Sequence, residues 1–231
     1  MSARVRYQLR DGIAEIRIDD GKVNALSLDV FGELGRAFDR AEADRAVVML
    51  AGREGVFSAG FDLRVLRAGG PAANEMVRAG FELAARIFAF PHPVVIACTG
   101  HAIAMGVFLV LAGDYRIGAL GAHRIGANEV AIGIPMPHFA VEMLRQRLAP
   151  AHFQRAIALA EMYAPEDAVA AGFLDRVVPA AEVEPAARAL AAQLALLDAR
   201  VHAVSKLRAR EQALRAIRAA IEADTAASLA A

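Results

Sequence analysis

The 231-residue chain has one cysteine, no net formal charge, and only two lysines, Lys22 and Lys206, among its 26 basic residues. Each scarcity removes a class of function. Cys98 lies in the apolar run VVIAC, has no partner for an internal disulfide and packs as a small hydrophobe, which suits a reducing compartment. Zero net charge leaves no global field to draw the protein to nucleic acid or anionic lipid, and the arginine-rich basic set is compositional because it does not cluster. Also missing are the phosphate loop GxxxxGK(S/T), GxGxxG, the GxSxG elbow and HExxH, so nucleotide hydrolysis, dinucleotide binding and common zinc chemistry lose support. His92, His101, His123, His138, His152 and His202 are scattered without ligand spacing, and no metal is expected. No apolar stretch of signal-peptide type follows Met1, and the apolar segment from Val94 to Ala112 is interrupted by Thr99, Gly100 and His101. A cytoplasmic protein without a membrane span is expected.

What is present reads as a globular α/β chain, with 57% hydrophobic and 23% charged residues. The β-prone runs Val5 to Leu9 and Ala14 to Ile18 flank an Asp-Gly turn and predict a hairpin. Ser27 caps a helix whose apolar positions Val30, Phe31, Leu34, Phe38 and Ala41 recur at helical spacing, with Asp29 in its first turn. Ala46 to Leu50 and Pro93 to Cys98 are continuous apolar runs of the kind buried on both faces of a parallel sheet. Helices are predicted over Ala73 to Phe90 and Met105 to Ala112. Short strands follow at Tyr115 to Ile117 and His123 to Ile125, then a loop carrying Glu129. After Pro137 the chain turns helical over Phe139 to Leu148, Ala151 to Ala160 and Glu166 to Ala171, with a strand at Leu174 to Val178 and alanine-rich helices from Ala181 onward.

Two glycine-containing turns carry the chemical interest, VFSAGFDL at 56 to 63 and TGHAIAMGVFLVLAGD at 99 to 114. Each can leave unpaired amides facing a cleft, the second at a helix N-terminus where developing negative charge is favoured. That is the construction of an oxyanion hole. Either turn alone also reads as a plain tight connection.

Taken in order, NALS at 24 to 27, FSAGFDL, the turn into MGVFLVLAGD, NEVAIG at 128 to 133 and APEDAVAAGFLDRVVP at 164 to 179 resemble the crotonase (enoyl-CoA hydratase/isomerase) family. The resemblance covers nearly the whole chain. It implies an α/β crotonase-like spiral of ββα units over residues 1–180 and a C-terminal helical region over 181–231 that serves trimerisation. It also implies acyl-CoA thioesters as substrates, with coenzyme A belonging to the substrate and no separate cofactor, and a homotrimer or dimer of trimers. Carried over residue by residue, the two oxyanion amides fall on Phe61 and Met105, the carbonyl that meets the adenine amino group on Ala59, and a basic residue near the phosphates on Arg64. Arg64 equally reads as an ordinary surface arginine.

The departures from the pattern narrow the chemistry. Ala104-Met105-Gly106 stands where the family often has three glycines, which leaves Met105 either reshaping the acyl pocket or packing with Phe108 in the core of a buried helix. Family hydratases use two glutamates; here the second matches Glu129 but the first matches Phe108, on the wall of the substrate site. A single glutamate against an apolar wall has a raised pKa and can take a proton from one carbon and return it to another. A double-bond shift in an enoyl-CoA fits best, with a hydratase, another thioester enzyme or a non-catalytic acyl-CoA-binding paralogue as alternatives. His138 reads as a second acid or as a backbone hydrogen-bond partner, and Asp62 and Asp114 as turn or cap residues. The chain ends at SLAA without the basic segment many members carry, which implies a more open site or one closed by a neighbouring subunit.

Overall fold

The computed structural model describes residues 4–230, with side chains described through residue 227. The hairpin forms as expected: β1 (Val5–Arg10) and β2 (Ile13–Ile18) pair antiparallel across Asp11 and Gly12, both at positive φ, the conformation that tight two-residue hairpin turns demand. From β2 the chain repeats one unit, a strand, a second strand and then a helix. The first pass is β2, β3 (Ala25–Leu26) and α1 (Leu28–Ala43), whose Val30 amide donates to Ser27 Oγ as the capping pattern predicts. The second is β4 (Val47–Ala51), β5 (Gly55–Ser58), β6 (Gly60–Phe61), α2 (Leu63–Ala68) and α3 (Gly70–Phe88). The third is β7 (Val94–Cys98), β8 (Gly100–Ile103) and α4 (Met105–Ala112), and the fourth β9 (Tyr115–Ala119), β10 (Ile125–Gly126) and α5 (His138–Arg145).

The first strands of these units, with β1 and the later β11 (Arg176–Val178), make a six-stranded sheet in the order β1-β2-β4-β7-β9-β11. The second strands make a smaller parallel layer, β10-β8-β5, and β3 pairs with β6. Sequence patterning predicts the first layer, but of this second one only the strand expected at His123 to Ile125, which meets β10 at Ile125. The layer's strands are two to four residues long and carry no alternation to read.

All five residues of β4 and of β7 are buried, as their unbroken apolar runs predict. Val48, Leu50, Val94 and Ile96 face the large core under α1, α3, α4 and α5. Val47, Met49, Val95 and Ala97 face the other way, onto Val183, Ala187 and Ala191 of α8 (Val183–Leu194). Those three recur every four residues, so one stripe of α8 covers that face. Arg17–Glu184 and Arg188–Glu15 ion pairs hold its margin. Between α5 and α8 lie α6 (Pro150–Ala158) and α7 (Pro165–Ala171), and α9 (Ala199–Ala230) packs along α5 and α3. Among the described residues no helix is long and apolar enough to cross a membrane.

Asp114 corrects its expected role as a turn or cap residue. Its carboxylate accepts from the Val94 amide at 2.7 Å, from Lys206 Nζ at 2.7 Å and from Arg210 at 2.8 Å, tying α9 to the sheet. Lys206 is 7% exposed, and burial pushes its ammonium down to about 8. Arg210 also donates to the Phe88 carbonyl at 2.6 Å and stacks over the Phe88 ring. The two cations that pair with Asp114 lie more than ninety residues along the chain from it, beyond the reach of any local pattern. Asp114→Ala strands two buried cations, and we expect a loss of about 3 to 5 kcal/mol in urea unfolding. Loss of less than about 1 kcal/mol would contradict the hub.

Candidate active site

Asn24, from the NALS segment, is fully buried at a φ of 54°. Its Nδ2 donates to the Ile18 and Phe57 carbonyls at 2.9 and 3.0 Å, and its Oδ1 accepts from the Asp20 amide. Ser58 Oγ donates to the Asn24 carbonyl at 2.8 Å and accepts from the Gly60 amide at 3.1 Å. The turn after β5 is thereby fixed. Gly60 has a φ of +91°, and a Cβ there would lie 2.9 Å from Ala104 Cβ, 3.0 Å from the Ile103 oxygen and 3.3 Å from the Met105 nitrogen. Only a glycine lets the two turns approach so closely.

The backbone then sets the direction of two amides. Asp62 donates its amide to the Leu26 carbonyl at 3.0 Å, so the alternation of a strand turns the Phe61 amide to the opposite edge. Met105 is the first residue of α4, where an amide has no partner within the helix. Ala104 precedes it at φ 50° and ψ −127°, a strained conformation for a residue with a Cβ. Its amide is anchored on the Gly126 carbonyl at 3.1 Å, which ties the head of α4 to the loop carrying Glu129.

Beside these turns lies a largely apolar cavity of about 450 Å³. Ala59, Phe61, Phe108 and Glu129 of the expected site set line it. Glu129 opens a 3-10 turn over Val130–Ile132, and its own carbonyl accepts from Ile132 and Ile134, so the loop curls around it. Its side chain is held against apolar neighbours, with Oε2 buried and lacking a hydrogen-bond partner. Desolvation raises this carboxyl to about 7. Phe108, almost fully buried, contributes only a ring to the same cavity.

The rest of the expected set sits elsewhere. Met105 is fully buried and does not line the cavity; Ala104, just before it, and Phe108, from the same helix, form that stretch of wall instead. Arg64 lies outside the lining with its side chain 91% exposed, and its guanidinium donates to the Asp62 carboxylate at 3.0 Å. Asp62 itself caps α2, as expected. His138 is exposed and outside the lining, with its backbone amide held by Asp224 Oδ1 at 3.0 Å while Phe139 donates to Oδ2 at 2.9 Å. Residues not singled out from sequence complete the wall, among them Leu63, Arg67, Phe81 and Asn128. Helical periodicity marks Phe81 as buried, and the NE pair places Asn128 beside Glu129, but neither signal identifies a cavity. A larger groove of about 760 Å³ runs past Arg4, Tyr7 and Arg40, and it includes neither glycine turn nor Glu129.

A parallel spiral of strand–strand–helix units with a C-terminal helical region, two apposed backbone turns and one buried carboxylate defines a protein of the crotonase fold. The sequence profile of the enoyl-CoA hydratase/isomerase family matches residues 8–228, and the chain belongs to that family. It is similar to the enoyl-CoA hydratase EchA3 of Mycobacterium ulcerans, with 46% identity, a TM-score of 0.94 and coverage of 98% of this chain and 100% of that one. A structure described as the Mycobacterium tuberculosis enoyl-CoA isomerase matches with 45% identity, a TM-score of 0.94 and coverage of 98% and 99%. The mitochondrial enoyl-CoA delta isomerase 1 of Rattus norvegicus is 32% identical over 187 residues, 79% of this chain and 65% of that protein. The chain thus spans slightly less than two thirds of the length of the mammalian isomerases it matches.

The proton on Glu129 has a measurable consequence for stability. In the folded protein the carboxyl keeps its proton up to about pH 7, whereas the unfolded chain releases it near 4.5. The native state therefore binds more protons in that window, and its stability falls as pH rises through it. Glu129→Gln escapes this loss. We expect it to be more stable than the wild type at pH 8, by up to about 3 kcal/mol, with the gap closing below pH 4.5 in urea melts. A gap of equal size at both pH values would rule out the desolvated carboxyl.

Proposed function

We propose that this protein shifts the double bond of an enoyl-CoA from position 3 to position 2, with Glu129 as the single proton shuttle. The observation that carries the reading is the pairing of one buried carboxylate with a phenyl ring, since Phe108 occupies the wall where hydration would need a second acid. The thioester oxygen is bound by the amides of Phe61 and Met105, and the carbonyl so polarised makes the C2 protons acidic. Glu129 removes one of them, and negative charge spreads from the thioester oxygen through C2 to C4. Two aimed donors stabilise that charge by roughly 3 to 4 kcal/mol each. Glu129 then returns the proton at C4, which leaves the double bond between C2 and C3. A carboxyl titrating at about 7 is suited to both halves of this exchange. The Ala59 carbonyl meets the adenine amino group, while Arg64 and His138 lie at the periphery of the coenzyme A site.

Incubation with 3-enoyl-CoA and 2-enoyl-CoA separates the readings. The wild type should isomerise the first, with kcat/KM rising as pH increases through about 7, because the reaction needs ionised Glu129. Glu129→Gln should reduce kcat by about 10²- to 10⁴-fold with little change in ligand binding. Hydration of the 2-enoyl ester without movement of the 3-enoyl double bond would overturn the isomerase reading in favour of a hydratase. Binding without any turnover would mark a paralogue that only binds acyl-CoA. Exposed Leu196, Leu197, Val201, Val204 and Leu207 in the C-terminal helical region support a homotrimer or dimer of trimers. A monomer in solution scattering at micromolar concentration would contradict that assembly.

A further inference from the structure

The cavity beside Glu129 is graded from mouth to floor. Leu63 and Ile132, at its exposed margin, are 47% and 50% exposed, whereas Phe81 and Phe108 are 2% and 1% exposed. The deep lining is therefore aromatic. Those rings are braced by Phe139 and Phe31, which do not line the cavity, and by Phe61, which does. Phe139, from α5, stacks on Phe81 with ring centres 4.2 Å apart and planes 19° apart, and meets Phe108 edge-on at 5.9 Å. Phe61 meets Phe81 edge-on at 6.2 Å and Phe31 at 5.8 Å. The five rings come from α1, β6, α3, α4 and α5, so displacing one requires moving several elements of a close-packed core. Gly80 secures the fit: a Cβ there would lie 2.8 Å from Phe61 Cε1 and 2.9 Å from Phe31 Cζ.

We propose that Phe61, Phe81 and Phe108, braced by Phe31 and Phe139, form a fixed end wall that restricts the site to short- and medium-chain acyl thioesters. The proposal rests on the acyl-CoA reading above but not on which reaction follows binding. At roughly 30 Å³ per water-sized group, about 450 Å³ accommodates on the order of fifteen non-hydrogen groups. The thioester and the end of the pantetheine arm occupy several, which leaves space for an acyl chain of about ten carbons or fewer. A longer chain has to break the aromatic contacts or leave its end in water.

Calorimetric binding of coenzyme A and of saturated butanoyl-, octanoyl- and hexadecanoyl-CoA tests the wall without turnover, with the longest ester kept below its micelle-forming concentration. Affinity should rise about fourfold per methylene from butanoyl to octanoyl and then fall, with hexadecanoyl-CoA at least about tenfold weaker than octanoyl-CoA. Phe81→Leu should narrow that last gap. Gly80→Ala, which presses the Phe61 ring toward the cavity, should move the preference toward butanoyl-CoA. Circular dichroism and thermal melts establish that each variant is folded, and the wild-type length series stands without either. Hexadecanoyl-CoA binding as tightly as octanoyl-CoA to the wild type overturns the wall, whichever reaction the protein performs. Failure of every ester and of coenzyme A itself to bind overturns the acyl-CoA reading instead.

Discussion

The geometry of the candidate site depends on one close approach, that of Gly60 to the turn formed by Ile103, Ala104 and Met105. Two segments more than forty residues apart meet with no space for a methyl group between them. Asn24 and Ser58 hold one side of the contact through a chain of buried hydrogen bonds, and the Gly126 carbonyl holds Ala104 on the other. Each partner belongs to a different turn of the spiral. The strained backbone of Ala104 persists because these neighbours over-determine it. The strain is the local expense of bringing the head of a buried helix against the Gly60 turn.

Charge is handled in opposite ways at two buried places. Around Asp114 the protein surrounds a carboxylate with the cations of Lys206 and Arg210 and a backbone amide, so burial is compensated and the long helix is fastened. Around Glu129 it supplies almost nothing. One oxygen is left without a partner, and the unfavourable desolvation appears as a proton held near neutrality. The first arrangement serves stability, and the second suits the proton transfer proposed for Glu129. A carboxylate satisfied like that of Asp114 would stay ionised and be a poor proton donor.

Much of the scaffold was legible in the sequence because its signals are local. The Asp-Gly turn, the Ser27 cap and the wholly apolar strands at 47–51 and 94–98 require only a few neighbouring residues to be recognised. The second strand layer was legible only at Ile125, since strands of two to four residues exist only by virtue of partners far along the chain. Glu129 and the turn at Phe61 were found by motif, and the side chain of Met105 was read either as shaping the pocket or as packing in the core. It packs in the core, while Ala104 takes the wall. Arg64 sits where the family pattern indicates a coenzyme A contact, but Asp62, two residues earlier, pairs with its guanidinium. Phe81 reads as core by periodicity. Its place on the cavity floor follows from the packing of Phe139 and Phe61 around it.

The capping of α5 by Asp224 bears on how the protein is made. Pro137 forms part of the cavity wall, and the amides of the two residues that follow it are held by a carboxylate 86 residues downstream of His138. During synthesis the wall residues leave the ribosome well before the side chain that fixes them. A nascent chain halted between these points carries every residue that lines the cavity, yet has an unanchored helix start beside it. The start of α5 is thus anchored only once α9 has emerged and docked.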